Sequence, residues 1–559
     1  MLTLLAIALP LADLHVDSSA SNCAAADGSP AAPFCTLDAA LQAAVDGDRL
    51  LLAQGDYAPG SVVTEDVEIV GVPGPDLTRI VGGLGSPTVL TIAAGATVRV
   101  EGLTIQDGVQ SGLGAAGLDV HGHLTLVRSR VLSNEGGTFA GPDAANRVTG
   151  TLLARETLFQ DNENDGPGGA LVVVGDADVT LDDCAFWTNA SGFAGITSGA
   201  GGAIAVVPSS SSAGANARLA VRRTTFASNS CATPGYGGAG GALLVNAGLG
   251  GAPAVTVENC TFSGNAASVG SAVHSSGGGT VSIVASTVTD NAADNSGALL
   301  VSPPSVMTLS HSVVAGNVDV FGSDTGRDLQ GPVQSLGHNV VGDALFFGGQ
   351  VFVPLPSDVV DPDVVLGPLS AQGSFGGLHP LPAGSSALDI GAPVPPVATD
   401  ARGVPRPLGL SDAGAYERGG FGTVDDCAAR PNSTGAVSRW ATQGSGNAGL
   451  NDVLLVVEGL PPAQFALFLV SDAYEFQLLP GGSVGNLCLA SPITRILAST
   501  QPISGAGQAR LALDLTAVPT NFGTESVTAG DTRWFQLWHR DVPPVAPSNF
   551  SPALAVTFD

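Results

Sequence analysis

The sequence predicts an all-β chain: a solenoid of stacked β layers with an N-terminal capping helix, followed by a small C-terminal β-sandwich. Three observations carry this. The phrase Cys260-Thr261-Phe262-Ser263-Gly264-Asn265 recurs with Phe159 and Asn162, Phe186 and Asn189, and Phe226 and Asn229. It returns with Val in the Phe place at Val288 and Asn291 and at Val314 and Asn317, and an earlier copy has Val131 and Asn134. These asparagines are 28, 27, 40, 36, 26 and 26 residues apart, a period that belongs to stacked repeats and not to one globular core. Second, a Gly pair opens an apolar run in Gly168-Gly169-Ala170-Leu171, Gly201-Gly202-Ala203-Ile204 and Gly240-Gly241-Ala242-Leu243. Third, from Gly419 the period gives way to short alternating runs punctuated by Pro and Gly, among them Phe465–Val470, Leu511–Leu515 and Trp534–Trp538, which read as sandwich strands.

Composition bounds the function. The 559 residues include 76 Gly, 12% charged and 44% hydrophobic residues, so there is ample apolar surface to bury. All 20 basic residues are arginine, and the net charge is -29. That charge repels phosphates and acidic lipids, which excludes nucleic acid and an anionic membrane as partners and disfavours an acidic polysaccharide.

Taken in order, residues 1–12 are an apolar run ending in Ala12, read as a secretory signal with Asp13 opening the mature chain. No later run approaches the ~20 apolar residues that span a bilayer, so no transmembrane segment is expected. A loop between Cys23 and Cys35 leads to Thr36, an N-cap for a helix over Leu37 to Val45 with Leu37, Leu41, Ala44 and Val45 on one face. A solenoid needs such a helix to cover its open end. Pro33-Phe34-Cys35-Thr36-Leu37, Asp46-Gly47-Asp48 and Gly55-Asp56-Tyr57 resemble the opening of pectin-lyase-like proteins, which implies a right-handed parallel β-helix over residues 13–345.

Within each layer, alternating apolar residues such as Val179 and Leu181 bury one face and the chain turns at the asparagine. Asparagine suits a turn because it tolerates left-handed backbone angles, and its amide can bond to the identical amide one layer on. Asn134, Asn162, Asn189, Asn229, Asn265, Asn291 and Asn317 are therefore expected to form a ladder. The combination of Phe-x-x-Asn with Gly-Gly-Ala-Ile resembles the repeats of polymorphic outer membrane proteins, a family of surface-exposed β-helices. Insertions at Pro208 to Ala215 and Ala247 to Ala252 break the period and are expected to leave the solenoid as loops.

Leu336-Gly337-His338-Asn339, His379-Pro380-Leu381-Pro382-Ala383-Gly384-Ser385-Ser386-Ala387-Leu388-Asp389-Ile390-Gly391 and Asp412-Ala413-Gly414-Ala415-Tyr416-Glu417 resemble the closing segment of choice-of-anchor Q proteins, exported bacterial β-helices. This assigns residues 346–418 to a closing segment. Residues 419–559 follow in place of the sorting tail, and Pro431-Asn432-Ser433-Thr434-Gly435 with Gly485-Asn486-Leu487-Cys488-Leu489 is similar to a C-terminal module of unassigned role on exported bacterial proteins.

Seven cysteines in an exported chain suggest disulfides with one thiol over. Cys184 and Cys260 both precede a repeat asparagine by five residues, with Thr224 in that place in the layer between. Two layers at ~4.8 Å exceed the ~7 Å Cα limit for a bridge, so both stay thiols in a stack with Thr157, Ser286 and Ser312. The expected bridges are Cys23 to Cys35 and Cys427 to Cys488, each within one terminal region, leaving Cys231 unpaired.

The enzymes that the fold resemblance brings to mind use an Arg or Lys base beside carboxylate-held calcium, or clustered aspartates with Gly-His-Gly. Here His121-Gly122-His123 inverts that motif, and the spacing of Arg402 and Arg406 belongs to the closing segment. No paired carboxylates or metal cluster stand out, so no catalytic residue, metal ligand or cofactor is assigned. Asp319, Asp324 and Asp328 lack calcium-loop spacing and read as solvated loop carboxylates. His121 and His123 read as a surface pair on one strand face without a third ligand. Trp534 and Trp538, flanking Gln536 on one strand face, read as aromatic core packing ahead of a sugar platform.

The expected function is a secreted or cell-surface, monomeric, non-enzymatic repeat protein serving as a structural, adhesion or display scaffold, with a cell-envelope component or an extracellular glycan as partner. The runner-up is a carbohydrate-binding or polysaccharide-degrading β-helix protein.

Overall fold

In a computed structural model of the chain the described residues are 12–558, apart from 111–113, 138–143, 193–198, 210–213, 232–236, 295, 322–326, 346–351, 362, 372–375, 383–384, 393–395, 405, 407–410, 418–422, 426, 428, 441, 443–447, 449–450, 452, 529 and 543–547. Residues 1–11 of the expected signal, Asp324 and residues 210–213 of the loop at Pro208 to Ala215 lie outside the described residues. The chain divides into two compact units. The first runs to Ser370 and takes in Phe375–Ile390 and Ala413–Ala415; the second is built on Gly391–Asp412 and Tyr416–Asp559.

The first unit is a parallel β-helix. Its three long sheets hold 12, 11 and 12 strands. One turn of the coil shows the construction. Asp178–Asp182 lies in the first sheet, Ala185–Trp187 in the next, Ala190–Ser191 in a short corner sheet and Ile204–Val207 in the third, and Arg218–Arg222 then pairs in parallel with Asp178–Asp182. Alternation sends Val179 and Leu181 inward while Asp178, Thr180 and Asp182 face out. Register is strict because a one-residue slip would turn these apolar side chains to water. The Phe positions stack through the interior, with ring centroids of Phe159, Phe186, Phe226 and Phe262 separated by 4.5, 5.0 and 4.7 Å. That spacing is the strand-to-strand distance itself.

The corners differ from expectation in one respect. The left-handed residue precedes each ladder asparagine: Ser133, Asp161, Thr188, Ser228, Gly264, Asp290 and Gly316 have φ of 51° to 75°. The preceding residue absorbs the bend so that the asparagine amide can point into the coil. At the opposite corner Gly201 holds φ 67°, and a Cβ on Gly202 would come within 2.1 Å of the Gly241 carbonyl oxygen, so the Gly pair answers two separate demands.

The capping helix spans Leu37–Ala43, and the Thr36 hydroxyl accepts the Ala39 N–H at 3.2 Å. It ends earlier than the sequence suggests. Ala44 is extended, the Asp48 carboxylate accepts the Val45 N–H, and Val45 is 52% exposed, while Ala40 joins Leu37 in the buried face. Cys23 and Cys35 are bridged across a Cα separation of 5.5 Å ahead of this helix.

Part of the closing segment returns along the solenoid instead of only ending it. The Thr225 hydroxyl donates to the Gly377 carbonyl, His379 meets the Ser263 hydroxyl, the Thr287 hydroxyl accepts the Ala415 N–H, and Gly414 donates to the His311 carbonyl. These contacts cover the outer side of the sheet that carries the Phe stack.

The second unit contains a seven-stranded antiparallel sheet, in which Phe465–Ser471 pairs with Thr532–Arg540 and the latter with Ala553–Thr557, and a three-stranded sheet through Leu454–Glu458. Phe468, Val470, Phe535, Leu537 and Leu554 of the first pack with Leu455, Val457 and Ala509 of the second in one buried cluster. This is the expected sandwich.

Candidate functional site

The ladder residues come together as one continuous array. Each asparagine sends its side-chain N–H to the next Oδ1, from Asn134 to Asn162 at 3.1 Å through to Asn291 and Asn317 at 2.8 Å. Each also gives its backbone N–H to that same oxygen, and its amide nitrogen reaches a carbonyl of the preceding layer, as Asn265 does to Phe226 at 2.9 Å. All seven are buried. Every polar atom of the array is used, which is the condition for a buried polar network to stabilise.

Asp328 closes the ladder. Its Oδ1 accepts the backbone and side-chain N–H of Asn317 at 3.1 and 2.7 Å, and its Oδ2 accepts the Asp343 N–H at 2.7 Å. It is buried, so the reading as a solvated loop carboxylate is corrected. Burial pushes its pKa up to about 6 against the pull of those donors. Asp319 is also buried, and its carboxylate accepts the Phe321 N–H. A second, looser ladder runs through the small-residue stack. Backbone N–H groups of Cys184, Cys260, Ser286 and Ser312 donate to Thr224, Ser286, Ser312 and Asn339. It too ends on an aspartate, since Asp358 Oδ1 accepts both N–H groups of Asn339 at 2.9 and 3.0 Å.

Cys184, Cys231 and Cys260 are buried thiols whose pKa burial pushes up to about 12. Cys427 and Cys488 are bridged, with Cα atoms 6.0 Å apart.

The histidine pair is not formed as expected. His121 lies in the turn after Ala115–Val120, bonded to the Thr149 hydroxyl at 2.8 Å and beside Asp119 at 3.2 Å, whereas His123 opens the next strand and is exposed. Arg402 and Arg406 are interior to the second unit. Arg402 pairs with Asp400 at 2.6 Å and lies 3.8 Å over the Tyr416 ring, and Arg406 pairs with Glu417 at 3.0 Å. Burial, then the Asp412 charge, push Glu417 up to about 7 against Arg406.

One carboxylate pairing went unseen in the sequence. Glu135–Gly136 and Glu163–Asn164 are adjacent rungs of the corner sheet, so Glu135 faces Glu163 directly. Burial, then the charges of Glu135 and Asp165, raise the Glu163 pKa. The signal was present in the ladder register, since each glutamate follows its asparagine by one residue. Among the described residues no three His, Cys, Asp or Glu side chains converge as a metal site, and no helix is long and apolar enough to cross a membrane.

Trp534, Gln536 and Trp538 face away from the sandwich core. Gln536 is buried, accepting the Cys488 N–H and donating to the Asn486 and Ser551 carbonyls. Trp534 packs at 55° to Tyr474 with centroids 5.1 Å apart, and Trp538 joins Leu467, Leu469 and Phe550 in a small outer cluster. The two indoles pack in this outer layer and not in the sandwich core, which corrects the reading of core packing.

No protein-family model matches the chain, and no curated protein is similar to it in sequence. Among solved structures it is similar to pectate lyase Pel9A at 12% identity and a TM-score of 0.38, over 73% of this chain and 98% of that one. A rhamnogalacturonan lyase matches at 12% identity and 0.30, over 62% and 86% of the two chains. The PL6-family alginate lyase AlyGC matches at 13% and 0.30, over 67% and 57%. Nothing about this chain's chemistry follows from likeness of that degree.

Proposed function

We propose that the protein is an extracellular, non-catalytic scaffold, whose β-helix is a stiff body and whose sandwich serves attachment or presentation. One observation carries the reading. The outer side of the Phe-bearing sheet, from Thr225 to His311, is occupied by the chain's own returning segment. A face sealed by side-chain and backbone bonds to the same chain is built for rigidity. The two disulfides suit an oxidising compartment. A panel of neutral and acidic polysaccharides tests this: the scaffold predicts no released reducing ends and no unsaturated uronates, and either product overturns it.

The second reading, a protein acting on or binding a glycan, is favoured by the facing Glu135 and Glu163 carboxylates, of which burial and the neighbouring charges raise the Glu163 pKa, since paired carboxylates serve acid–base chemistry. Under that reading turnover of a panel member disappears in Glu163→Gln, and retention without turnover marks a binding protein.

A further inference from the structure

The second unit contains a cavity of about 710 Å³ on the outer face of its seven-stranded sheet. This lies within the roughly 300 to 1,000 Å³ of small-molecule sites. Leu467, Leu469 and Trp538 form its floor, and Ile493 and Phe550 its sides. Its roof includes Pro480, Gly481 and Leu487 of a hairpin in which Gln477 and Leu487 exchange both backbone hydrogen bonds, at 2.7 and 3.0 Å. The hairpin is fastened at its base, where Cys488 is bridged to Cys427 and Asn486 donates to the Cys427 carbonyl. The hairpin carries Phe476 at its base and Leu478 and Leu479 beyond the Gln477–Leu487 pair, at 49, 64 and 40% exposure.

A cleft floored by aliphatic and indole carbon loses dispersion contacts while nothing fills it.

The polar side chains of the lining are Ser483, Ser491, Ser548 and Arg495, beside the apolar floor. Ser483 and Ser548 bond to each other at 2.6 Å. Arg495 is exposed at the rim. Arg402, Arg406, Arg439 and Arg533 of this unit each meet a carboxylate, whereas among the described residues none lies within ion-pairing distance of Arg495, as also of Arg430, Arg510 and Arg540, and of these four only Arg495 lines the cavity. In a chain of net charge -29, a guanidinium left to solvent beside an apolar cleft is an anion site with an apolar continuation.

We infer that this cavity binds an acyl carboxylate such as a medium-chain fatty acid, with the alkyl chain over Leu467, Leu469 and Trp538 and the carboxylate on Arg495. The site is independent of any activity of the solenoid.

Calorimetric titration of the full-length protein with dodecanoate, octanoate and dodecanol tests it. Dodecanoate should bind most tightly, with affinity rising up to about fourfold per methylene between the two acids. Arg495→Gln should weaken dodecanoate about tenfold and leave dodecanol unchanged, and Leu467→Trp should block both by filling the cleft. Near-UV circular dichroism reports whether Leu467→Trp keeps its fold; if it does not, Arg495→Gln alone decides. The proposal is overturned by no binding at millimolar dodecanoate, by equal loss of acid and alcohol in Arg495→Gln, or by undiminished binding to a folded Leu467→Trp protein.

Discussion

Replacing Asn265 by alanine removes one rung from the middle of the ladder. Asn265 Oδ1 accepts two donors from Asn229, its backbone N–H at 3.0 Å and its side-chain N–H at 2.9 Å. Both become buried donors without that acceptor. At about 1 to 3 kcal/mol for each unsatisfied buried group, the expected loss is about 2 to 6 kcal/mol. The Asn291 oxygen suffers less, because it still accepts the backbone N–H of residue 265. Asn22, exposed just ahead of the first disulfide, is the control, and Asn22→Ala should cost less than about 0.5 kcal/mol. The ladder also predicts coupling. Removing Asn229 as well deletes one of the stranded donors, so the double variant should lose less than the sum of the singles by about 1 to 3 kcal/mol. Urea unfolding of the four proteins measures this. Equal losses for Asn265→Ala and Asn22→Ala, or strict additivity of the pair, would refute the ladder.

Asp328 and Glu417 titrate higher in the folded protein, at about 6 and 7, than their ordinary 3.8 and 4.5. The folded state thus binds more protons, and stability conferred below about pH 4 is lost as pH rises through 6 to 7, at up to about 1.4 kcal/mol per pH unit for each group. Thermal unfolding between pH 4 and 8 should show this, and Asp328→Asn should flatten the part below pH 6. The three buried thiols should resist iodoacetamide in the native protein at pH 8, because the thiolate is the nucleophile. Mass mapping after unfolding without reductant should find three alkylated cysteines and two bridges, and a link between Cys184 and Cys260 would show the layer register to be wrong. Gly202→Ala, with its Cβ 2.1 Å from a carbonyl oxygen, should cost about 1 to 3 kcal/mol in urea unfolding, whereas Gly83→Ala, with nothing within 4 Å, should be nearly neutral.

What the sequence discloses is whatever repeats. The asparagines, the Phe stack and the Gly pairs are legible because each layer restates them and errors in one copy are corrected by the others. Asp328 escapes that reading because the residue type changes and the step from Asn317 shortens to 11 residues. The left-handed corner was placed one residue late because asparagine's habit in turns competes with its inward amide, and the amide wins. His121 was read onto the strand of His123 although a turn separates them. The returning segment has no period at all. Its bond from Thr225 to Gly377 joins residues 152 apart, and such pairings leave no local trace. The cavity of the second unit is likewise set by a hairpin crossing a sheet, which no alternation of residues encodes.

The two ladders have a polarity. Every amide hands a proton forward and receives one from behind, so a layer in the middle can be lost or gained as a whole and the ladder rejoined. At the far end stands a group that only receives. A stacked β coil is in principle a template on which another chain could continue the pattern, and this is the hazard of any uncapped sheet. A newcomer's first rung would have to accept an amide proton, and Asp328 and Asp358 have none to give. Ionised, they would repel an acidic copy of the same chain. The carboxylate at the end of each ladder accepts the last amide's protons and, ionised, offers none to a further rung.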